Sequence, residues 1–228
     1  GATELEIPTP DGERLYGWHR RAVETGPLRV VLYFHGNASS VLGQIDLQNL
    51  LVSQGWDFVE IHYRGYPGST GVPSEAAVRE DARAAWQFVT EVLGARSSRV
   101  AIHGRSLGGG VAAQLAAAVD PAALVMESTF TSIADLANEQ YRFIPVGRFL
   151  EHPFLTRDVA PRVSCPVLVA HGTHDSLIDV KHGKTLVRLF GTDEYIERPH
   201  IDHNEVLLQG EAADRYLGFL ERAVPLQP

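Results

Sequence analysis

Residues 100–118 read VAIHGRSLGGGVAAQLAAA. An apolar run, Val100 to His103, stops at Gly104, and an alanine-rich segment of helical character begins after Ser106. A strand that turns directly into a helix around one polar residue has two explanations. The serine can cap the helix, or it can be a nucleophile raised above the strand ends. Gly104-Arg105-Ser106-Leu107-Gly108 has the G-x-S-x-G pattern, and its context favours the second. A turn this sharp would bring neighbouring side chains into collision, so glycines flank the serine. The helix N-terminus behind it favours negative charge nearby.

The same alternation extends in both directions. Before it, Asp11-Gly12 predicts a hairpin turn into the strand RLYGWHRR. RVVLYFHG reads as a strand buried on both faces and ending at Gly36. The stretch from Ser39 to Gly55 has helical spacing at Leu42, Ile45, Leu50 and Leu51. DFVEIHY is a strand entering a Gly/Pro-rich loop. Ser74 caps a helix with Val78, Ala82, Ala85, Phe88 and Val89 on its apolar face. After it, AALVMEST and PVLVAHG are strands, VKHGKTLVRLFG a helix, EYIERP a short strand and NEVLLQGEAADRYLGFLERAV a closing helix. Repeated β and α predict an α/β protein with a mostly parallel sheet, helices on both faces and an antiparallel edge at the start. Thr129 to Ser164 breaks the rhythm, with Phe143, Phe149 and Phe154 among prolines. It reads as a small cap inserted at about 129–164 into one domain spanning 1–228.

Bulk properties exclude several functions. With 28 acidic against 20 basic residues the net charge is −8, which opposes a nucleic-acid surface. No apolar run approaches the ~20 residues that span a bilayer. No signal peptide is visible, although the absence of an initial Met leaves room for a removed anchor or signal. Cys165 is the single cysteine, so no internal disulfide forms, and a reducing, cytoplasmic compartment is the expectation. It precedes PVLVAHG, where a small buried residue is the simpler explanation than a nucleophile. No P-loop or dinucleotide fingerprint is present, so no cofactor is expected. His171-x-x-His174 and His200-x-x-His203 lack a companion at metal-site spacing, so no metal is expected.

A serine hydroxyl needs a base, usually histidine, and the base needs a carboxylate to fix its tautomer. In such a sheet these partners follow the serine in the order acid, then histidine, at strand ends. Asp175 follows PVLVAHG, and His203 follows EYIERP and precedes the last helix. Asp179 is a rival acid, but its place at a helix start is explained by capping. Asp202 adjoins His203 and is poorly placed to face its ring. His200 sits close to the strand at Pro199, and His174 reads as exposed. The oxyanion formed on attack needs donors. The Leu107 N–H at the turn and the Asn37 N–H in the loop HGNASS supply them, and losing one such donor typically slows a reaction roughly 10²–10³-fold.

Taken together, GRSLGGG, HGNASS, HYRGYPGSTGVPSE, ESTFTS and CPVLVAHGTHDSLI resemble the α/β-hydrolase superfamily. Within it they are similar to the serine-aminopeptidase-like branch that includes bud-emergence-type hydrolases and protein depalmitoylases. The resemblance implies an α/β-hydrolase fold, Ser106 as nucleophile, Asp175 as acid, His203 as base, and Asn37 and Leu107 as oxyanion donors. The expected function is hydrolysis of a carboxylic ester or thioester of a small-molecule acyl substrate through an acyl-enzyme. A peptidase or amidase using the same triad is one alternative. A non-catalytic binding protein of the same fold is the other.

Overall fold

The computed structural model describes residues 1–23, 26–37, 44–140 and 154–225. Among the described residues eight strands form one sheet: β1 (Ala2–Pro8), β2 (Arg14–Arg20), β3 (Val30–Phe34), β4 (Asp57–Ile61), β5 (Val100–Arg105), β6 (Ala123–Glu127), β7 (Val167–Gly172) and β8 (Tyr195–Arg198). Their order across the sheet is β1-β2-β4-β3-β5-β6-β7-β8. β1 and β2 run antiparallel, β2 meets β4 antiparallel, and every later pairing is parallel. The fold is that of an α/β hydrolase, with the antiparallel edge where the hairpin was expected.

The helices are α1 (Ile45–Ser53), α2 (Glu75–Gln87), α3 (Leu107–Ala116), α4 (Ile133–Gln140), α5 (Thr156–Val159), α6 (Lys181–Phe190) and α7 (Glu211–Ala223). Ser74 caps α2 as its sequence predicts, its hydroxyl accepting from Ala77 N–H at 3.1 Å. The closing helix is shorter than its apolar pattern suggested. It begins at Glu211, after Gly210 adopts a φ of 59°, and Val206 and Leu207 are buried in the preceding turns. The start of the segment expected to form the first helix lies outside the described residues. So do Tyr141, Phe143 and Phe149 of the expected cap. The cap's flanks are described: Phe130 and Phe154 are buried against the main core. No helix among the described residues is long and apolar enough to cross a membrane.

Strand alternation sorts the core into two layers. Val30, Leu32, Phe34 and Ile102 face one side with Val78 and Ala82 of α2, Val111 and Ala112 of α3 and Leu186 of α6. Val31, Tyr33, Phe58 and Ala101 face the other, against Leu47 and Leu51 of α1 and Tyr216 and Phe219 of α7. Each buried Val, Leu or Phe side chain contributes roughly 1.5–3 kcal/mol. The connection from β3 runs to β4 on one side, and the chain then crosses to β5 on the other. Loops at the carboxyl ends of β3 and β5 therefore diverge, which opens a crevice at that switch point.

Beneath the crevice, the second face carries polar groups. Glu60 on β4 is paired in register with Tyr33, which pairs with His103 on β5. Glu60 is 1% exposed, and burial raises its carboxyl to about 8, against a smaller opposing pull from Arg105. The folded state therefore keeps a proton that the unfolded chain releases near 4.5. Stability falls as pH rises between those values. Glu60→Gln removes this titration. Its melting temperature relative to wild type is expected to rise from pH 5 to pH 8 by on the order of 10 °C in thermal unfolding.

Candidate active site

Ser106 stands between the end of β5 and the start of α3 with φ 54° and ψ −119°. Such a backbone in a residue other than glycine stores roughly 1–3 kcal/mol and persists only when its surroundings over-determine it. Here they do. The Ser106 N–H donates to Glu127 O at 2.9 Å. The Ser106 carbonyl accepts from the Thr129 hydroxyl at 2.7 Å and from the Gly109 N–H at 3.0 Å. Gly108 lets the first turn of α3 press onto β3, since a Cβ there would lie 1.9 Å from Phe34 O. The Ser106 side chain makes no capping bond to the helix. The capping explanation of this serine is thereby removed.

Asp175 and His203 are brought together. His203 Nδ1 lies 2.8 Å from Asp175 Oδ2. Asp175 Oδ1 accepts from the N–H groups of Leu177 and Ile178 at 2.9 and 2.8 Å. Burial would raise the Asp175 carboxyl. The bonds from His171, His203 and Ile178 outweigh burial and hold it well below the usual carboxylate range. An ionised carboxylate only accepts, so the Nδ1 of His203 carries a proton, and in the neutral ring the lone pair lies on Nε2.

The two loops meet because of their sequence. At Gly172 a Cβ would stand 2.3 Å from Ile201 O, so glycine lets the loop after β8 cross the end of β7. Asp202, rejected as the acid, ties the loops instead. Its Oδ1 accepts from Ser176 N–H at 2.8 Å, Ser176 Oγ at 2.9 Å and His203 N–H at 2.7 Å. Asp179 Oδ1 accepts from Lys181 N–H at 2.9 Å, at the first turn of α6. His174 and His200 are exposed and stack with ring centroids 5.0 Å apart. Burial pushes the Cys165 thiol up to about 12, away from nucleophilic use.

Ser106 and His203 share Glu127 as a neighbour. Glu127 O holds the serine backbone. Its buried carboxylate is held below its ordinary value, against its burial, by the bond from His103 and by the charge of Arg105. Among the described residues no hydrogen bond joins Ser106 Oγ to His203 Nε2; His203 bonds Asp175 and Asp202. Such bonds are often long in unliganded sites and shorten when substrate binds.

The loop after β3 is braced against the serine. Gly36 faces it closely: a Cβ there would be 3.1 Å from Ser106 Cβ and 3.7 Å from Oγ. The Tyr63 hydroxyl donates to His35 O at 2.9 Å, and the Tyr66 hydroxyl donates to Asn37 Oδ1 at 2.8 Å. Arg64 anchors their loop through Asp81 at 2.6 Å and Asp11 at 2.7 Å. Burial lowers the His35 imidazole to about 4, so it is neutral at pH 7. The first N–H groups of α3, that of Leu107 among them, have no acceptor within the helix. Gly36→Ala would displace either the serine or this loop. A loss of ~10²-fold in kcat/KM of the hydrolysis expected from the sequence follows, with circular dichroism unchanged.

Sequence reasoning missed the parts played by Thr129, Tyr63, Tyr66 and Asp202. The motifs ESTFTS and HYRGYPG contain the first three, but nothing in their spacing shows which backbone atom each hydroxyl reaches.

Comparison with known proteins gives a consistent result. A family model described as serine aminopeptidase, S33, matches residues 25–157, more than half of the 228-residue chain. Rv2307c, an uncharacterized protein of Mycobacterium tuberculosis, is 33% identical over 203 residues, covering 89% of this chain and 72% of that protein. The lysophosphatidylserine lipase ABHD12 of Danio rerio is 31% identical over 192 residues, covering 75% of this chain and half of its own length. The solved structure of the Pyrococcus furiosus esterase Pf2001 superposes with a TM-score of 0.77 at 19% identity, covering 97% of this chain and 92% of that one. This last likeness concerns the fold alone.

Proposed function

Since the chain belongs to the serine aminopeptidase S33 family of α/β hydrolases and is a hydrolase, we propose that it cleaves carboxylic esters or thioesters through an acyl-enzyme on Ser106. The observation that carries this reading is the strained Ser106. Its backbone is held from three sides while its hydroxyl makes no capping bond to the helix.

In the proposed reaction His203 Nε2 takes the hydroxyl proton as Ser106 Oγ bonds to the carbonyl carbon. The carbonyl electron pair moves onto oxygen, where the N–H groups of Asn37 and Leu107 receive the charge. The tetrahedral intermediate collapses, the bond to the leaving oxygen or sulfur breaks, and His203 returns the proton to it. Water then attacks the acyl-serine by the same route and releases the carboxylic acid. Asp175 keeps the imidazole in the useful tautomer and stabilises it when charged. One domain, with an insertion at about 129–164, supplies all these groups in this reading.

A lysophosphatidylserine lipase among the similar proteins supports an ester substrate. The family description favours the alternative, a peptidase. Turnover of p-nitrophenyl butyrate, butyryl thiocholine and an aminoacyl p-nitroanilide by the pure protein separates them. The ester or thioester is expected to turn over at least ~10²-fold faster than the amide, a margin of about 3 kcal/mol in barrier. The reverse order would establish the amidase.

A further inference from the structure

His171 is the penultimate residue of β7, four before Asp175, and is completely buried. Its Nε2 lies 2.8 Å from Ile178 O and 3.2 Å from Asp175 Oδ2. A carbonyl only accepts, so Nε2 carries the proton. That proton points chiefly at Ile178 O, and the carboxylate is a second, bent acceptor. Nδ1 is buried without a hydrogen-bond partner. The ring is therefore the neutral Nε2–H tautomer, with no acceptor waiting for a second proton. Ile178 is also the residue whose N–H donates to Asp175 Oδ1 at 2.8 Å. One imidazole thus touches both the carboxylate and the peptide segment that orients it.

The opposite side of this ring rests on α6. A Cβ at Gly183 would stand 2.8 Å from His171 Nδ1, 3.0 Å from its Cβ and 3.1 Å from its Cγ. Gly183 lies in the first turn of α6, where glycine is less favourable than alanine by up to ~1 kcal/mol. Close packing of the imidazole accounts for its presence.

We propose that His171, seated on Gly183, is a positioning residue for Asp175 that shares the carboxylate's charge with His203. The proposal rests on the reading of Ser106, His203 and Asp175 as the reacting set. A hydrogen-bond donor on Oδ2 withdraws charge that would otherwise stabilise the His203 imidazolium. Removing it strengthens the His203–Asp175 pair and raises the pH at which His203 loses its proton.

Other charged groups face the two rings. His203 meets Asp175 from the loop after β7, Glu127 from the end of β6 and Asp202 beside it. His171 meets Asp175 and, across the sheet, its register partner Glu197, which Lys184 of α6 pairs at 3.0 Å. All of them remain in the variants below, so a change in titration follows from the loss or displacement of the His171 donor.

The test is the pH profile of kcat/KM for p-nitrophenyl butyrate with wild type, His171→Leu, His171→Gln, Gly183→Ala and Ser106→Ala. His171→Leu is expected to lose roughly tenfold in kcat/KM and to move the acidic limb up by about half a pH unit. His171→Gln keeps a donor near the Nε2 position and is expected to return the limb to the wild-type value. Gly183→Ala touches no titratable group but displaces the ring, and is expected to move the limb upward by a smaller amount. An unmoved or lowered limb in folded His171→Leu overturns the proposal. If that variant does not fold, an unmoved limb in Gly183→Ala overturns it. Undiminished turnover by Ser106→Ala would instead remove the underlying reading, so the two failures are distinct.

Discussion

Ser106→Ala is expected to lower ester turnover by ~10⁴-fold or more while leaving the melting temperature nearly unchanged. Both halves follow from the geometry. The proposed nucleophile is the only heavy atom lost. The hydroxyl of Thr129 is already engaged, donating to the Ser106 carbonyl at 2.7 Å. Stability is spared because Ser106 Oγ makes no capping bond. Were it a cap, alanine would reduce stability by about 1 kcal/mol. The φ of 54° is equally unfavourable for alanine, so no strain is relieved. Kinetics with p-nitrophenyl butyrate, thermal unfolding, and mass-detected labelling by a fluorophosphonate check the three consequences. Wild type is expected to gain one probe adduct and the variant none. A variant with wild-type turnover would exclude an acyl-enzyme on this residue.

Much of this arrangement could be read from the chain because it rests on local rules. A buried strand must be apolar, a sharp turn must be glycine-rich, and helices repeat every 3.6 residues. These rules locate β3, β5 and α3, and with them the turn at Ser106. They locate His203 and Asp175 less directly, through their positions at strand ends. Register, crossing and contact were not available in this way. That Gly172 exists to let Ile201 pass over it depends on a contact between loops 29 residues apart. For His171 the sequence offers only a spacing to His174 that is set aside as a metal pair, because spacing alone does not show which side of a strand end a ring occupies. Its neighbours are a carbonyl, a carboxylate and a helix glycine. The closing helix was overextended for a related reason: Val206 and Leu207 are buried, but in turns, and burial alone imitates helical periodicity.

Asp175→Asn is the more searching substitution, since it changes one atom type and no volume. Oδ1 accepts two backbone N–H groups, from Leu177 and Ile178. An asparagine must keep its oxygen there, because its amide nitrogen would face two donors. The nitrogen is then forced to the Oδ2 position, where His203 Nδ1 and His171 Nε2 lie at 2.8 and 3.2 Å. Facing an N–H donor, His203 relieves the clash by moving its proton to Nε2. The imidazole then has no lone pair for the serine proton, and kcat is expected to fall ~10⁴-fold, the magnitude seen when a triad aspartate elsewhere is replaced in this way. The N–H of His171 still confronts the new donor, so stability at pH 7 should also fall by roughly 1–3 kcal/mol. This second loss carries a pH signature. The wild-type carboxyl is held below its ordinary value of 3.8, so its contribution is present above that pH and disappears as acid protonates the folded protein. Denaturant midpoints for wild type and variant are therefore expected to differ most near neutrality and to converge below about pH 4. Asp179→Asn, which alters a bond to Lys181 N–H and an exposed ion pair with the Lys181 ammonium at 3.9 Å, is expected to keep activity within about threefold. If Asp179→Asn were crippled and Asp175→Asn active, the acid would be Asp179, and the bond at His203 Nδ1 would have no part in the reaction.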